Sequence, residues 1–369
     1  MKIGVLTSSR ADFGIYEPLI NELISDGSFE VEIIAFGTHL SKYHGYTLKN
    51  IKDNYELKVH EISSLIVNDD KSSVSTAYGL TGLKFSEFWD KNIYDLVFCL
   101  GDRFEMSAAV QAGIPFGVKF AHIHGGEKTL GATDNIYRHQ ITLASSIHFT
   151  ATNAFKLRVE QLVESEENVF NVGALSLSEV KKFIPVNKTK LFAEFNLKDE
   201  PYCLITFHPE TNAFNENENF AMEMKTALEL ISQDINLVIT MPNADTMGTL
   251  YREQLLQLEK ENSNNVMLIE NFGKNNYFSA MKYAKILIGN TSSGIIEAAS
   301  FGKYVVNVGG RQEGRVQSEN IYNAVFDKAD IIDKTKIALK SGDYLGENVY
   351  YQSGTAMKIK KIIKSYEKF

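Results

Sequence analysis

Short β-branched apolar runs alternate with segments of helical period along this chain, and the alternation stops once and then restarts. No other feature limits the fold so tightly. In the first half KIGVLT (Lys2–Thr7), VEIIAFG (Val31–Gly37), the weaker YELKVHEI, DLVFCLG (Asp95–Gly101), GVKFAHI, IHFTAT and NVFNVG (Asn168–Gly173) read as strands. Between them IYEPLINELIS, a stretch near Leu80–Trp89, EMSAAVQAG and IYRHQITLASS place apolar residues at helical spacing. Strands joined through helices require right-handed crossovers, hence a parallel sheet covered on both faces.

Around Ser176–Tyr202 the charged segment SEVKKFIPVNKTKLFAEFNLKDEPY lacks a strong strand run and holds two of the six prolines, which marks a domain boundary. The pattern resumes with YCLITFH, INLVITMP, NVMLIENF, KILIGN and KYVVNVGG as strands, with helices between them that include YFSAMKYA and SGIIEAASFG. MKIKKIIKSYEKF closes the chain as an amphipathic helix whose lysines form a solvated face. The reading is α/β, with two doubly wound, Rossmann-like domains. The 369 residues suffice for two domains of ~100–200 residues each.

Charge and cysteine usage remove several function classes. The net charge of -8 opposes general nucleic-acid affinity, which needs a basic field, but leaves room for a small anionic ligand held by a few arginines and helix ends. Cys99 and Cys203 lie inside apolar strand runs, as buried small hydrophobes do, and form neither a metal-spaced pair nor a disulfide framework. The chain opens directly on a strand without a signal-peptide core, and no apolar stretch approaches ~18 residues. The expectation is a cytoplasmic protein with no membrane span.

Ligands of open α/β sheets sit beyond the carboxyl ends of the strands, and the polar motifs fall there in both halves, which favours one shared inter-domain site. SSRADFG (Ser8–Gly14) follows the first strand and reads either as a capped βα turn or as an anion site built on Arg10 and a helix N-terminus. In GDRFE (Gly101–Glu105), Asp102 is either a helix N-cap or a desolvated acid/base group, and Arg103 pairs with it or with a ligand phosphate.

The densest motif is HIHGGEKTLGATDNIYRH, from His122 to His139. Gly125 and Gly126 permit close backbone approach, Glu127 and Asp134 bracket a turn, and Arg138 and His139 lie about one turn into the next helix. Acids, a base and an arginine in one loop suit proton transfer beside an anionic leaving group. His122 and His124, alternating on one strand face, would with Glu127 also supply zinc-ligand types; no cysteine or HExxH helix supports a metal.

In the second half His208 of TFHPET is held extended before Pro209 at a strand end, and Asn243 and Asp245 of MPNAD are turn formers or ligand contacts. GNTSSG (Gly289–Gly294) follows a strand and opens a helix, offering N–H groups and the hydroxyls of Ser292 and Ser293 to a diphosphate. Glu297 falls on the first turns of that helix, where a carboxylate suits the positive end or a ribose hydroxyl. GGRQEGR (Gly309–Arg315) adds two arginines, and neither a Walker A loop nor a GxGxxG turn after the first strand is present.

Taken together, SSRADFG, GDRFE, HIHGGEKTLGATDNIYRH, FHPET, NADT, GNTSSGIIE and GGRQEGR resemble the UDP-N-acetylglucosamine 2-epimerases, and within them the hydrolysing branch of bacterial sialic-acid synthesis. The motifs run in family order from Arg10 to Arg315. The resemblance implies a glycosyltransferase-B-like fold with two domains facing a cleft: residues 1–175 with the acid/base groups, residues 176–352 with the UDP site, and residues 353–369 as a helix crossing back onto the first domain. It implies hydrolysis of UDP-N-acetylglucosamine to N-acetylmannosamine and UDP, by anti-elimination to a glycal followed by hydration, without a cofactor and without a metal.

By the same resemblance Asp102, Glu127 and Asp134 form the acid/base set, with His208 and Arg10 near the departing diphosphate. Ser292, Ser293, Gly294 and Glu297 hold phosphate and ribose, and Arg315 is a diphosphate ligand. Arg103, Arg138, His139 and Asn243 complete the set of substrate contacts. The wider family often carries an acid where this chain has His124. Either Glu127 takes that carboxylate's part, or His124 shuttles a proton, as a side chain with an ordinary pKa of about 6.5 can. Related branch members act on UDP-2,4-diacetamido-2,4,6-trideoxyglucose on the legionaminic-acid route, the alternative substrate here. A UDP-sugar glycosyltransferase of the same fold would need an acceptor pocket, and the acid-rich loop argues against it; a non-catalytic nucleotide-sugar binder would leave the three acids without a task. The family also suggests a homodimer or homotetramer.

Overall fold

The structure is a computed structural model that describes residues 1–42, 45–68, 70–130, 134–210, 212–242 and 248–366. The chain forms two compact units. Unit 1 comprises Met1–Glu127, Asp134–Val180 and Tyr350–Phe369; unit 2 comprises Lys128–Thr133 and Lys181–Val349.

Unit 1 runs β1 (Lys2–Thr7), α1 (Arg10–Ile24), β2 (Glu30–Phe36), α2 (Leu48–Asn54), β3 (Lys58–Ile62), α3 (Lys71–Trp89), β4 (Leu96–Leu100), α4 (Phe104–Gly113), β5 (Phe120–Ile123), α5 (Asp134–Leu143), β6 (Ile147–Thr150), α6 (Asn153–Val163) and β7 (Val169–Asn171). The seven strands pair in the order β3-β2-β1-β4-β5-β6-β7, every pair parallel. Both faces are apolar: Val5, Ile33, Phe98 and Phe149 pack on one side, and Leu6, Ile34, Val97 and Phe120 on the other. A strand buried on both faces has no polar side to display, which explains its continuous apolar run.

Unit 2 repeats the plan with α7 (Lys188–Glu194), β8 (Tyr202–Thr206), α8 (Asn217–Ile231), β9 (Asn236–Thr240), α9 (Gly248–Glu261), β10 (Val266–Ile269), α10 (Lys274–Tyr283), β11 (Leu287–Gly289), α11 (Ser292–Ile296), β12 (Val305–Val308), β13 (Ile321–Ala324) and α12 (Lys328–Lys340). Its six parallel strands follow the order β10-β9-β8-β11-β12-β13. The last helix, α13 (Thr355–Tyr366), belongs to unit 1. Its apolar stripe of Ala356, Ile359 and Ile363 joins the core that contains Ile20 and Leu23 of α1, while Lys360 pairs with Glu22 of that helix and Lys364 with Asp26 in the turn just beyond it.

The sequence reading missed five elements, among them α2 between the second and third strands and α7 inside the charged boundary segment. Helix α6 separates the two strands that close the first half, and β13 with α12 extends the second sheet beyond KYVVNVGG. Helix α3 starts at Lys71, well before Leu80, because Asp70 caps it by accepting from the N–H groups of Ser72 and Ser73. Among the described residues no helix is long and apolar enough to cross a membrane.

Strand order fixes where chemistry can gather. In unit 1 the order reverses between β1 and β4, and in unit 2 between β8 and β11. Crossovers leave these neighbours on opposite faces, which opens a crevice at the carboxyl ends of the two strands.

Candidate active site

At the unit 1 reversal, β1 runs into a capped turn. Ser9 Oγ accepts from the Asp12 N–H at 3.2 Å, and Asp12 Oδ2 accepts from the Ser8 N–H and hydroxyl at 3.1 and 2.7 Å. The capped-turn reading of SSRADFG therefore holds for Ser9 and Asp12, and Arg10 is left exposed at the first helical position. Gly37 explains how β2 comes so close: a Cβ there would lie 2.7 Å from the Ser8 carbonyl, at φ +58°. Beyond it His39 is buried between Thr7 Oγ1 at 2.9 Å and Thr47 Oγ1 at 2.8 Å, and burial lowers its pKa to about 4.

After β4, Asp102 does not cap α4. The N-cap position belongs to Arg103, which makes no side-chain cap bond. Asp102 instead turns to Arg138, whose Nη2 donates to Oδ2. Arg138 is buried, and its Nη1 donates to the His124 carbonyl at 2.9 Å and stands 3.5 Å from Glu127 Oε2. The other Glu127 oxygen meets His124 Nδ1 at 2.6 Å. Asp102, Arg138, Glu127 and His124 thus form one continuous array, brought together by the ends of β4 and β5 and by the second turn of α5.

An isolated buried guanidinium or carboxylate carries a desolvation cost of several kcal/mol. Here each is opposed by a partner of the other sign, and most of the bonding capacity is used. Arg103 Nη2 donates to Glu105 Oε1 at 3.1 Å beside this array, while Glu105 Oε2 is buried without a partner among the described residues. Asp134 and His139 lie on the first two turns of α5, both partly buried.

His122 and His124 do not share a strand face. β5 ends at Ile123, and His124 adopts a left-handed backbone with φ +66°. His122 points into the interior, with Nε2 at 2.9 Å from the Gly101 carbonyl and Nδ1 at 3.0 Å from Thr142 Oγ1. A carbonyl only accepts, so Nε2 carries the proton, and Nδ1 lies against the Thr142 hydroxyl, which also reaches the Arg138 carbonyl at 2.9 Å. Burial lowers the His122 pKa to about 3. Both ring nitrogens being used, His122 is not available as a partner of His124 in a metal site, and no group of three metal-ligating side chains occurs among the described residues.

The glycines of the loop pack as close approach demands. A Cβ on Gly125 would lie 3.0 Å from His122 Nδ1, and one on Gly126, at φ +78°, 2.4 Å from the Phe155 carbonyl.

In unit 2 the reversal is organised by Asn290, which the sequence reading passed over inside GNTSSG. Its Oδ1 accepts from the His208 N–H at 2.7 Å and its Nδ2 donates to the His208 carbonyl at 2.8 Å. Gly289 permits this crossing: at φ +143° a Cβ would fall 1.9 Å from the Thr206 carbonyl. Thr291 caps α11 by accepting from the Ser293 N–H, with Ser292 and Ser293 partly exposed and Gly294 buried. Helix α11 spans only Ser292–Ile296, so Glu297 is its C-cap and not a first-turn residue. Its carboxylate therefore gains nothing from the positive helix end. Glu297 is buried all the same.

Glu210 is the second residue the sequence reading missed. Its Oε1 accepts from the N–H groups of Gly310 at 2.6 Å and Arg311 at 3.0 Å, and burial raises its pKa. Asn217 holds the other side by accepting from the Glu210 N–H and donating to its carbonyl. The glycine-rich turn that precedes Arg311 and Arg315 is thus pinned by a carboxylate at its own backbone, across a separation of 100 residues. A Cβ on Gly309 would clash with that carboxylate at 2.3 Å. Arg315 is partly buried on the same turn. Asn243 and Asp245 lie outside the described residues.

Comparison with known proteins points in one direction. The family model described as UDP-N-acetylglucosamine 2-epimerase matches residues 21–364. The chain is 35% identical over 332 residues to the GDP/UDP-N,N'-diacetylbacillosamine 2-epimerase (hydrolyzing) of Campylobacter jejuni, covering 89% of this chain and 85% of that protein. It is 31% identical over 370 residues to the UDP-N,N'-diacetylbacillosamine 2-epimerase (hydrolyzing) of Legionella pneumophila, covering 99% of this chain and 96% of that one. The crystal structure of UDP-GlcNAc 2-epimerase from Neisseria meningitidis bound to UDP-GlcNAc superposes with a TM-score of 0.81 at 19% identity over the whole of both chains, and so shares the two-domain, glycosyltransferase-B-like fold. The chain belongs to the UDP-N-acetylglucosamine 2-epimerase family of enzymes.

Proposed function

We propose that this protein is a hydrolysing 2-epimerase that converts a UDP-linked 2-acetamido sugar and water into UDP and the free sugar inverted at C2. The observation that carries this reading is the buried array Asp102–Arg138–Glu127–His124, which sets proton-transfer groups against a fixed cation at the unit 1 reversal. Loss of the C2 proton with cleavage of the C1–O bond to UDP gives a glycal. Water then adds its oxygen to C1, and a proton reaches C2 from the opposite face. Atoms balance with water alone, and no electrons leave the sugar, so a redox cofactor has no part in the scheme.

The candidate acid/base set falls to unit 1, in the part of the chain numbered 1–175: Asp102, Asp134 and the hydrogen-bonded pair of Glu127 and His124, of which one member moves the proton. The nucleotide falls to the groups of residues 176–352: Ser292, Ser293, Gly294, Glu297, Arg315 and His208. Arg10, Arg103 and His139 contribute positive or donor groups from the first part.

The substrate favoured by relationship is UDP-N,N'-diacetylbacillosamine, the 4-acetamido-6-deoxy sugar for which the Campylobacter and Legionella relatives are named. UDP-N-acetylglucosamine is the second reading, supported by a Neisseria meningitidis relative named UDP-N-acetylglucosamine 2-epimerase at 28% identity over 95% of this chain. A site built around one of these sugars should discriminate strongly against the other, because they differ in groups that hydrogen-bond. Incubation with each sugar nucleotide in deuterated water, followed by NMR, tests the proposal. The expected products are UDP and a free manno-configured sugar carrying deuterium at C2. A product still linked to UDP would replace hydrolysis by simple epimerisation, and no turnover of either sugar would sink the reading.

A further inference from the structure

We infer that His124 is the proton-transferring group of the unit 1 array, acting through Nε2, and that Glu127 is a positioning residue that holds its tautomer. The inference deepens the epimerase reading and rests on it for the identity of the substrate.

Four constraints converge on this one side chain. Its backbone sits in the left-handed region at φ +66°, a conformation unfavourable for any residue with a Cβ. Its N–H donates to the Phe149 carbonyl at 2.9 Å, and its carbonyl accepts from Arg138 Nη1 at 2.9 Å, so the unfavourable conformation is pinned from both sides. Its Nδ1 meets Glu127 Oε1 at 2.6 Å. The fourth constraint is negative: Nε2 is buried with no hydrogen-bond partner among the described residues. Burying such an atom without a partner is unfavourable. A strained, triply anchored imidazole with one bare nitrogen is arranged for a group that arrives later.

The chemistry assigns the two roles. A carboxylate only accepts, so Glu127 places the proton of neutral His124 on Nδ1 and leaves the Nε2 lone pair free to take a proton. When it does, the imidazolium is stabilised by the same carboxylate. Glu127 itself is poorly placed for direct transfer: it is buried, Oε1 is committed to His124 and Oε2 faces Arg138. A carboxylate that fixes an imidazole's tautomer and orientation while the far nitrogen exchanges protons is a recurrent catalytic arrangement.

The test uses the full-length protein and the sugar nucleotide it turns over. His124→Gly suits the left-handed backbone and leaves an imidazole-shaped space. The expected result is a loss of ~10²–10⁴ in kcat, the range for a general acid or base, with UDP affinity changed less than about threefold. Added free imidazole should recover at least about tenfold of that loss. Activity of His124→Gly and His124→Gln within about tenfold of the unmodified protein would overturn the inference, as would a deep loss that imidazole does not relieve.

A second arm is independent of turnover. The ring-nitrogen shifts of neutral His124 in the unmodified protein, assigned by their absence in His124→Gln, should report a protonated Nδ1 and a bare Nε2, and Glu127→Gln should disturb that tautomer. The opposite tautomer in the unmodified protein overturns the inference even if no sugar nucleotide is turned over, an outcome that by itself counts only against the epimerase reading.

Discussion

Asn290 closes both backbone hydrogen bonds of His208: Oδ1 accepts from its N–H at 2.7 Å and Nδ2 donates to its carbonyl at 2.8 Å. Fully buried between β8 and β11, it acts as a peptide-like bridge where the two strands diverge. Its own carbonyl accepts from Gln312 Nε2 at 2.8 Å, which ties the turn bearing Arg311 and Arg315 to the same point.

Asn290→Ala should therefore cost stability and function together. Two buried backbone groups lose their partners, and at about 1–3 kcal/mol for each the loss should be on the order of 3 kcal/mol by urea unfolding. Asn290→Asp keeps the acceptor for the His208 N–H but faces the His208 carbonyl with a second oxygen, so it should recover little of that loss. UDP affinity should fall in both variants, because the strand-end loops that carry the polar groups of unit 2 lose a common anchor. An Asn290→Ala protein as stable as the parent would show that the bridge is incidental.

The sheets were readable because a strand buried on both faces must be apolar along its length, as LVFCL of β4 is. The elements that escaped lack that signature. IYNA of β13 is an edge strand with only Ala324 buried, and α12 carries charged residues at most of its exposed turns. Helix α6 starts three residues after β6, capped by Thr152, and its start is hidden in what reads as the tail of the strand.

Motifs grouped the candidate residues because titratable side chains that are sequence neighbours at strand ends are also close in space. Which atom of which residue faces a ligand depends on packing between distant segments. Glu210 meets Gly310, and Arg138 meets Asp102, across separations that no spacing rule encodes. The left-handed turn at His124 reverses the face inferred from strand alternation, and only the backbone reveals it.

Arg138 is the charge on which the unit 1 array depends. Arg138→Met would leave the buried Glu127 carboxylate, and the less buried Asp102, without a countercharge; removal of one member of a buried pair costs about 3–5 kcal/mol. Arg138→Lys keeps the charge, but a single ammonium cannot reproduce the fork that serves Asp102 Oδ2 and the His124 carbonyl at once. The expected pattern is a large loss of stability for Met, a smaller one for Lys, and kcat reduced about 10²-fold or more in both. Parent-like turnover in Arg138→Lys would show that the fork does not position His124.

Acid should unfold this protein through its buried histidines. His39, His122 and His148 are buried, and burial lowers their pKa values to about 4, about 3 and about 4. In the unfolded chain each titrates at about 6.5. Between roughly pH 6 and pH 4.5 the unfolded state thus binds three protons that the native state refuses, and stability rises with pH in that window. With about 1.4 kcal/mol per proton per pH unit, these side chains together contribute a slope of about 4 kcal/mol per unit, fading above pH 6.5 and again below about pH 4 as the native histidines charge. Urea unfolding at pH 7, 6 and 5 measures it directly. His148→Gln, which removes one titrating group from a strand position paired with His122, should lower the slope by about one third; a stability that is flat from pH 6 to pH 5 would mean that these imidazoles are protonated inside the fold.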